Sequence, residues 1–328
     1  MTVATQLEIL DLRHFSARQL RPLLAEEARV WKERLRWDYD SSSELLLQYL
    51  DARILPGFVA LDRGRVCGFT FCVYEGHKAV VGDAYAIATD PESALRITNR
   101  LLVHLLELLL HTPDIERVES QMLLYDNGVI EKSFRDAGFT LYPRLFMEYD
   151  MPSVKRTATE AGVAPTVSSL PEYIRVNRWT AAAYQEAAEL IHSSYANHID
   201  AQINDQYRSL HGTLRFLHNI VRFPGCGVFE GGASWVLRDS RTDKLVGVAL
   251  CSRVAPEVAH ITQICLAEPC RGQGWGRALL DHCVAHLADL GFTGITLTVT
   301  AANLNAVRLY ENIGFSVKHR FDAMVLEK

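Results

Sequence analysis

The sequence predicts an α/β (α+β) chain built as two tandem copies of one unit. Three observations predict this. Asn127 to Phe139 (N-G-V-I-E-K-S-F-R-D-A-G-F) and Asn303 to Phe315 (N-L-N-A-V-R-L-Y-E-N-I-G-F) align at one offset, which pairs Asn127 with Asn303, Phe134 with Tyr310, Gly138 with Gly314 and Phe139 with Phe315. The elements expected around both segments recur in the same order. The length, 328 residues, asks for a second core at roughly 150 residues per domain.

Taken in order, the first half expects helices between Ser16 and Leu55. Strand-like runs follow at Gly57–Leu61, Val66–Tyr74 and Val80–Ala88. A long apolar helix covers about Glu92–His111 and a strand about Arg117–Leu124. The repeated segment comes next, then a final extended stretch, Leu141–Tyr149. The second half repeats this with strands at Gly227–Arg238, Leu245–Arg253 and Val258–Leu266, a helix at Gly274–Leu290, a strand at Gly294–Thr300 and a last extended stretch, Ser316–Leu326. Between the halves Pro152–Leu170 is rich in Pro, Thr, Ser and Ala, lacks periodicity and reads as a linker. The expected domains are therefore 1–150 and 172–328, with a linker at 151–171.

Composition narrows the partners. The apolar fraction is 48%, and 34 basic against 39 acidic side chains leave a net charge of −5. A protein that lives on phosphate backbones is usually basic, so nucleic acid is disfavoured. No apolar run approaches the roughly 20 residues that cross a bilayer; the greasiest, Leu101–Leu110, is broken by His104 and Glu107. No basic segment followed by an apolar one marks a secretory leader. The seven cysteines are odd in number and never form CxxC, so they read as reduced thiols of a cytoplasmic protein. His282 and His286 stand four apart on a helix, yet the Glu that a zinc protease places next to the first His is Cys283 here. A solvated helix face is the expectation, and no metal.

The sharpest chemistry is Arg271-Gly272-Gln273-Gly274-Trp275-Gly276-Arg277, between the strand ending at Leu266 and a helix with Leu279, Leu280, Cys283, Val284 and Leu287 on one face. Glycines let the backbone approach a ligand and adopt conformations that side chains forbid. Loop amides and the positive helix end then suit a diphosphate. A Walker loop would need Lys-Ser/Thr where Arg277-Ala278 stands. A dinucleotide fingerprint would need Gly at Arg277 and an acid after the next strand. The pattern [Gln/Arg]-x-x-Gly-x-[Gly/Ala] is met by Arg271, Gly274 and Gly276.

With the second motif, N-x-x-A-x-x-L-Y-E-x-x-G-F, matched by Asn303, Ala306, Leu309, Tyr310, Glu311, Gly314 and Phe315, the second half resembles the GNAT superfamily of acyl-CoA N-acyltransferases. The resemblance covers 172–328 by motifs and 1–150 by the internal repeat, and it implies two tandem lobes, each a mixed, mostly antiparallel central sheet flanked by helices. It implies that acetyl-CoA is the co-substrate, with its arm along Ile264, Cys265 and Leu266 and its diphosphate on the amides of Arg271 to Arg277. It places an oxyanion-binding amide near Leu266 and Asn303 beside the arm. Tyr310 would protonate the departing thiolate. His260, on the strand before the loop, is the candidate base, since an imidazole changes charge near neutrality. Cys270 is read as packing rather than as a nucleophile.

In the first half the loop position reads Asp90-Pro91-Glu92, without glycine, and Phe134 replaces the tyrosine. That lobe is expected to keep the fold and to have lost acyl-CoA. Trp31, Trp37, Asp38 and Tyr39 there read as core and surface residues. In the second half Tyr195–Phe223 carries Tyr195, His198, Asp200, Asp205, Tyr207 and Arg208, a segment that similar enzymes use for the acceptor; its acids would suit a cationic amine. The expected activity is acetyl transfer to a small-molecule or peptide amine by direct attack. Left open are a non-catalytic acyl-CoA sensor or scaffold, and transfer of a longer acyl group or to a hydroxyl acceptor.

Overall fold

The computed structural model describes residues 7–151, 170–222 and 227–328, so the expected linker lies almost wholly outside the described residues. Two compact units form, Met1–Arg144 with Arg320–Lys328 (unit 1) and Leu145–His319 (unit 2). In chain order, unit 1 contributes β1 (Leu7–Asp11), α1 (Ala17–Leu35), α2 (Asp40–Asp51), β2 (Gly57–Asp62), β3 (Arg65–Glu75), β4 (Lys78–Ala86), α3 (Pro91–His111), β5 (Arg117–Gln121), α4 (Glu131–Asp136) and the opening of β6 (Thr140–Asp150). Unit 2 holds the rest of β6, then β7 (Ile174–Arg178), α5 (Tyr184–Tyr195), α6 (Asp200–Ile203), α7 (Leu210–Arg222), β8 (Val228–Phe229), β9 (Trp235–Asp239) and β10 (Lys244–Ala255). It continues through β11 (Val258–Leu266), α8 (Trp275–Asp289), β12 (Gly294–Thr300), α9 (Leu304–Ile313) and the start of β13 (Ser316–Glu327).

The sheet of unit 1 runs β1-β2-β3-β4-β5-β13, and that of unit 2 runs β6-β12-β11-β10-β9-β7 with β8 on β10. Each mixes a parallel pair, β4 with β5 and β11 with β12, into antiparallel neighbours. The expected final stretches therefore do not stay in their own halves. Residues 320–327 of β13 complete unit 1, pairing Ala323 to Glu327 with Gln121 to Arg117. From Leu145 on, β6 belongs to unit 2, where Leu145 and Met147 join its core. Strand pattern alone could not show this, because an alternating apolar strand fits either sheet.

Local chemistry explains the long helix of unit 1. The Asp90 side chain accepts from Ser93 N–H at 2.8 Å, capping α3, and Pro91 opens its first turn. Leu101, Leu102, Leu105, Leu106 and Leu109 recur at helical spacing and are all buried, each stabilising by about 2 kcal/mol. The expected strand Gly227–Arg238 is interrupted: Glu230 accepts from Gly232 N–H and turns the chain, leaving β8 and β9 as separate pieces. His282 is also not on a solvated face. It is 9% exposed, its ring 4.3 Å from those of both Trp235 and His286. Burial, and then His286, hold its imidazole neutral down to about 4.

One buried acid in unit 1 sets a pH response. Glu27 on α1 is fully buried and neither carboxyl oxygen has a hydrogen-bond partner among the described residues. Burial, then the neighbouring Asp83, push it well above its ordinary 4.5; burial raises Asp83 too, whose Oδ1 accepts from Ala84 N–H. A carboxyl raised in the folded state takes up its proton more readily there than in the unfolded chain. Stability from this pair is thus retained below about 4.5 and falls as pH rises through the raised native value. Urea unfolding from pH 4 to pH 8 should show that decline. Glu27→Gln should flatten it, with its gain over the parent largest at pH 8 and shrinking toward pH 4.

Candidate functional site

The sequence singles out the end of β11, the loop after it and α9, and unit 2 brings them together. β11 pairs with β10 along its length, with one residue, Thr262, bulged out opposite Leu250 and Cys251. A bulge bends the strand that carries it. On its other side β11 pairs with β12 only from Val258↔Gly294 to Ile261↔Leu297. Beyond Ile261 the two strands part, which opens a gap beside Thr262 to Leu266.

Peptide groups alternate along a strand. Ala267 N–H bonds Val246 O at 2.9 Å, so residues 267, 265 and 263 turn toward β10. Ile264 and Leu266 turn into the gap. Their carbonyls are held from α5 and the loop: Tyr195 Oη donates to Ile264 O at 3.4 Å, and Ser194 Oγ (3.1 Å) and Arg271 Nε (3.2 Å) donate to Leu266 O. Of the three residues expected to line the cofactor arm, two thus face the gap, while the backbone of Cys265 is turned toward β10. Burial raises the Cys265 thiol to about 12 and also pushes Cys270 up, so neither presents a thiolate.

The loop opens α8. Gly272 (φ 73°) and Gly274 (φ 80°) are left-handed, a conformation that disfavours any side chain, and a Cβ on either would meet nothing within 4 Å. The space over the loop is therefore open, and the first-turn amides of α8 have no intrahelical acceptor. The side chains expected to add positive charge are engaged elsewhere. Arg271 also reaches Ser194 O at 2.8 Å, Arg277 bonds Asp281 and Asn312 O, and Gln273 bonds Pro269 O. Backbone rather than guanidinium is what this loop offers an anion.

Asn303 caps α9, accepting from Ala306 N–H at 3.3 Å. Tyr310 is the seventh residue of that helix, not at its start; it is buried in the core that also holds Ile261 and Leu297, with its ring 5.9 Å from Phe315. His260 is 5% exposed, with Nδ1 2.9 Å from Thr296 Oγ1 on β12. The acceptor-side segment adds a cluster that the sequence named without its partners. Tyr195 stacks on Tyr207 (4.2 Å, 10°), Tyr207 Oη donates to Gln263 Oε1, and Gln263 Nε2 donates to Tyr195 Oη. Burial among Tyr207, Cys265, Asp200 and Tyr310 pushes the Tyr195 hydroxyl well above its usual range.

Unit 1 has the same opening. β4 pairs with β5 only from Lys78↔Arg117 to Val81↔Ser120, and Gly82 is bulged as Thr262 is. There Tyr125 Oη donates to Ala84 O at 2.8 Å. The N-terminus of α3 already carries the carboxylate of Asp90. Asn127 caps no helix; its side chain bonds Asp322 of β13. Phe134 packs edge-on to Phe139 at 5.2 Å, without a hydroxyl.

Comparison with known proteins agrees with these features. Residues 201–315 match the family model described as Acetyltransferase (GNAT) family. Over 46 residues the chain is 50% identical to a mycothiol acetyltransferase of Propionibacterium freudenreichii, covering 14% of this chain and 15% of that one. Over 77 residues it is 34% identical to the [ribosomal protein bS18]-alanine N-acetyltransferase of Escherichia coli strain K12, covering 24% and 51%. The chain thus spans about half or less of these relatives' lengths. Among solved structures, a tandem GNAT protein from the clavulanic acid biosynthesis pathway matches over 98% of both chains with a TM-score of 0.58 at 14% identity, which speaks for the fold. Among the described residues no helix is long and apolar enough to cross a membrane. The family match falls on the opened strand pair and its loop in unit 2, so residues 201–315 are similar to the GNAT acetyltransferase family.

Proposed function

We propose that the chain is an acetyl-CoA-dependent N-acetyltransferase whose active site lies in unit 2. The observation that carries this is the gap between β11 and β12, entered from a glycine loop at one end and closed by the helix of Tyr310. The diphosphate would rest on the amides of Gly272 to Arg277, and the arm would run past Ile264 and Leu266. The Leu266 amide would polarise the thioester carbonyl. The acceptor is a small-molecule or peptide amine, which attacks that carbon directly. Tyr310 would give its proton to the departing thiolate. The sequence names His260 for the proton that the amine must lose, but its ring is buried within the sheet against Thr296, so the base is sought elsewhere in unit 2. Unit 1 would contribute no second site, because Asp90 stands where a phosphate would and Phe134 offers no hydroxyl.

The test is thiol release from acetyl-, propionyl- and octanoyl-CoA over a panel of primary alkylamines, alanyl peptides and amino alcohols. Amine-dependent release, fastest with acetyl-CoA, is the expected result. Acetyl-CoA binding without release from any acceptor would instead assign a sensor.

A further inference from the structure

We infer that the proton acceptor for the incoming amine is His198, oriented by Asp200; this rests on the transfer reaction proposed above. His198 lies between α5 and α6, in the unit that holds the loop and Tyr310. Its side chain is 26% exposed, so it can exchange protons with solvent, which His260 at 5% cannot do without an opening of the sheet.

Its partners bear on its tautomer. Asn303 Nδ2 is 3.1 Å from Nε2. The Asn303 oxygen is already spent on Ala306 N–H, so the amide nitrogen faces the ring and donates. Nε2 therefore carries a lone pair and the ring proton belongs on Nδ1. Asp200 Oδ2 lies 3.6 Å from Nδ1, while Thr300 Oγ1 at the end of β12 donates to the other oxygen, Oδ1. The Asp200 backbone N–H donates to Nδ1 at 3.2 Å, so both ring nitrogens face donors, and the Nδ1–H tautomer requires that bond to break as the proton turns to Oδ2. A carboxylate behind one nitrogen and a basic second nitrogen in front is the arrangement that turns an imidazole into an oriented base.

The remaining neighbours set the surroundings. The Tyr195 ring is 5.1 Å away, edge to face, and Tyr195 in turn interacts with Tyr207, Cys265, Asp200 and Tyr310. Arg208 Nε donates to Ala201 O. In contact with the His198–Asp200 pair are the Asn303 amide, the Thr300 hydroxyl and the Tyr195 ring.

The step balances as follows. An ammonium takes the place of the Asn303 amide and gives one proton to Nε2. The neutral nitrogen attacks the thioester carbon, the C–N bond forms and the C–S bond breaks. The thiolate leaves with the electron pair and takes the Tyr310 proton, and Tyr310 recovers one from the new amide nitrogen. His198 returns its proton to water, so one proton is released per turnover.

The experiment uses the full chain, acetyl-CoA, and hexylamine and an alanyl tripeptide as probes. His198→Gln is expected to lower kcat/KM about 100-fold at pH 7 and to shift the rise of rate with pH to the amine's own titration. His198→Ala should regain activity with added imidazole. Asp200→Asn should cost about tenfold and alter the same limb, whereas His260→Gln should keep the parent profile. A parent-like profile in His198→Gln, or loss of the limb in His260→Gln instead, overturns the assignment. Independently of turnover, nitrogen-15 spectra should show His198 protonated at Nδ1; an Nε2–H tautomer overturns it as well. Absence of thiol release by the parent chain with any amine would count against the transfer reaction instead, and the spectra would still decide the tautomer.

Discussion

Gly274→Glu should abolish acetyl-CoA binding while costing the fold only about 1–2 kcal/mol. Two effects act on the ligand. Gly274 sits at φ 80°, where a side chain costs roughly 1–2 kcal/mol, so the loop relaxes away from its ligand-ready shape. The new carboxylate also stands at the N-terminus of α8, the position a diphosphate would take. The protein itself suffers little, since a Cβ there meets nothing within 4 Å and an acid at a helix start is favourable by a few tenths of a kcal/mol. Calorimetry should show affinity reduced at least ~100-fold, about 2.7 kcal/mol. Gly274→Ala separates the causes: it carries the strain without the charge and should lose about tenfold. Undiminished binding by Gly274→Glu would remove the loop from the site.

Tyr310→Phe should lower kcat about 100-fold and leave acetyl-CoA affinity within about twofold, because a positioned acid contributes roughly 10²–10⁴ to rate. The ring packs among Ile261, Leu297 and Phe315, and phenylalanine keeps that packing. The change is then nearly a deletion of one hydroxyl from the chemistry. The chain holds its own precedent, since Phe134 occupies the matching place in unit 1 and is fully buried. The effect should be largest with acyl donors whose thiol leaves poorly. Equal turnover in both proteins would take the proton-donor role from Tyr310.

What the sequence made legible follows from which physics is local. Gly272, Gly274 and Gly314 announce left-handed backbone, and that requirement is written in single letters. The apolar spacing of α3 likewise sets the face it buries. The gap beside β11 was not legible, because it depends on where pairing with β12 stops, a property of two strands and one bulge. His198 and Asp200 could be named from their segment, but their meaning needed Asn303 and Thr300, about a hundred residues away. His282 was misread for a related reason: its spacing with His286 fits a solvated face, and only β9, through Trp235, covers it.

The exchange of final strands bears on how the chain is made. Unit 1 is translated first, yet it includes Arg320–Lys328, and Met324 and Leu326 belong to its core. A nascent chain emerging from the ribosome can finish unit 2 with material already in hand, apart from the last few residues before His319. The earlier-synthesised body must wait, its edge beside β5 open, until residues 320–328 have emerged. The part of the molecule that is oldest in time is the last to be closed.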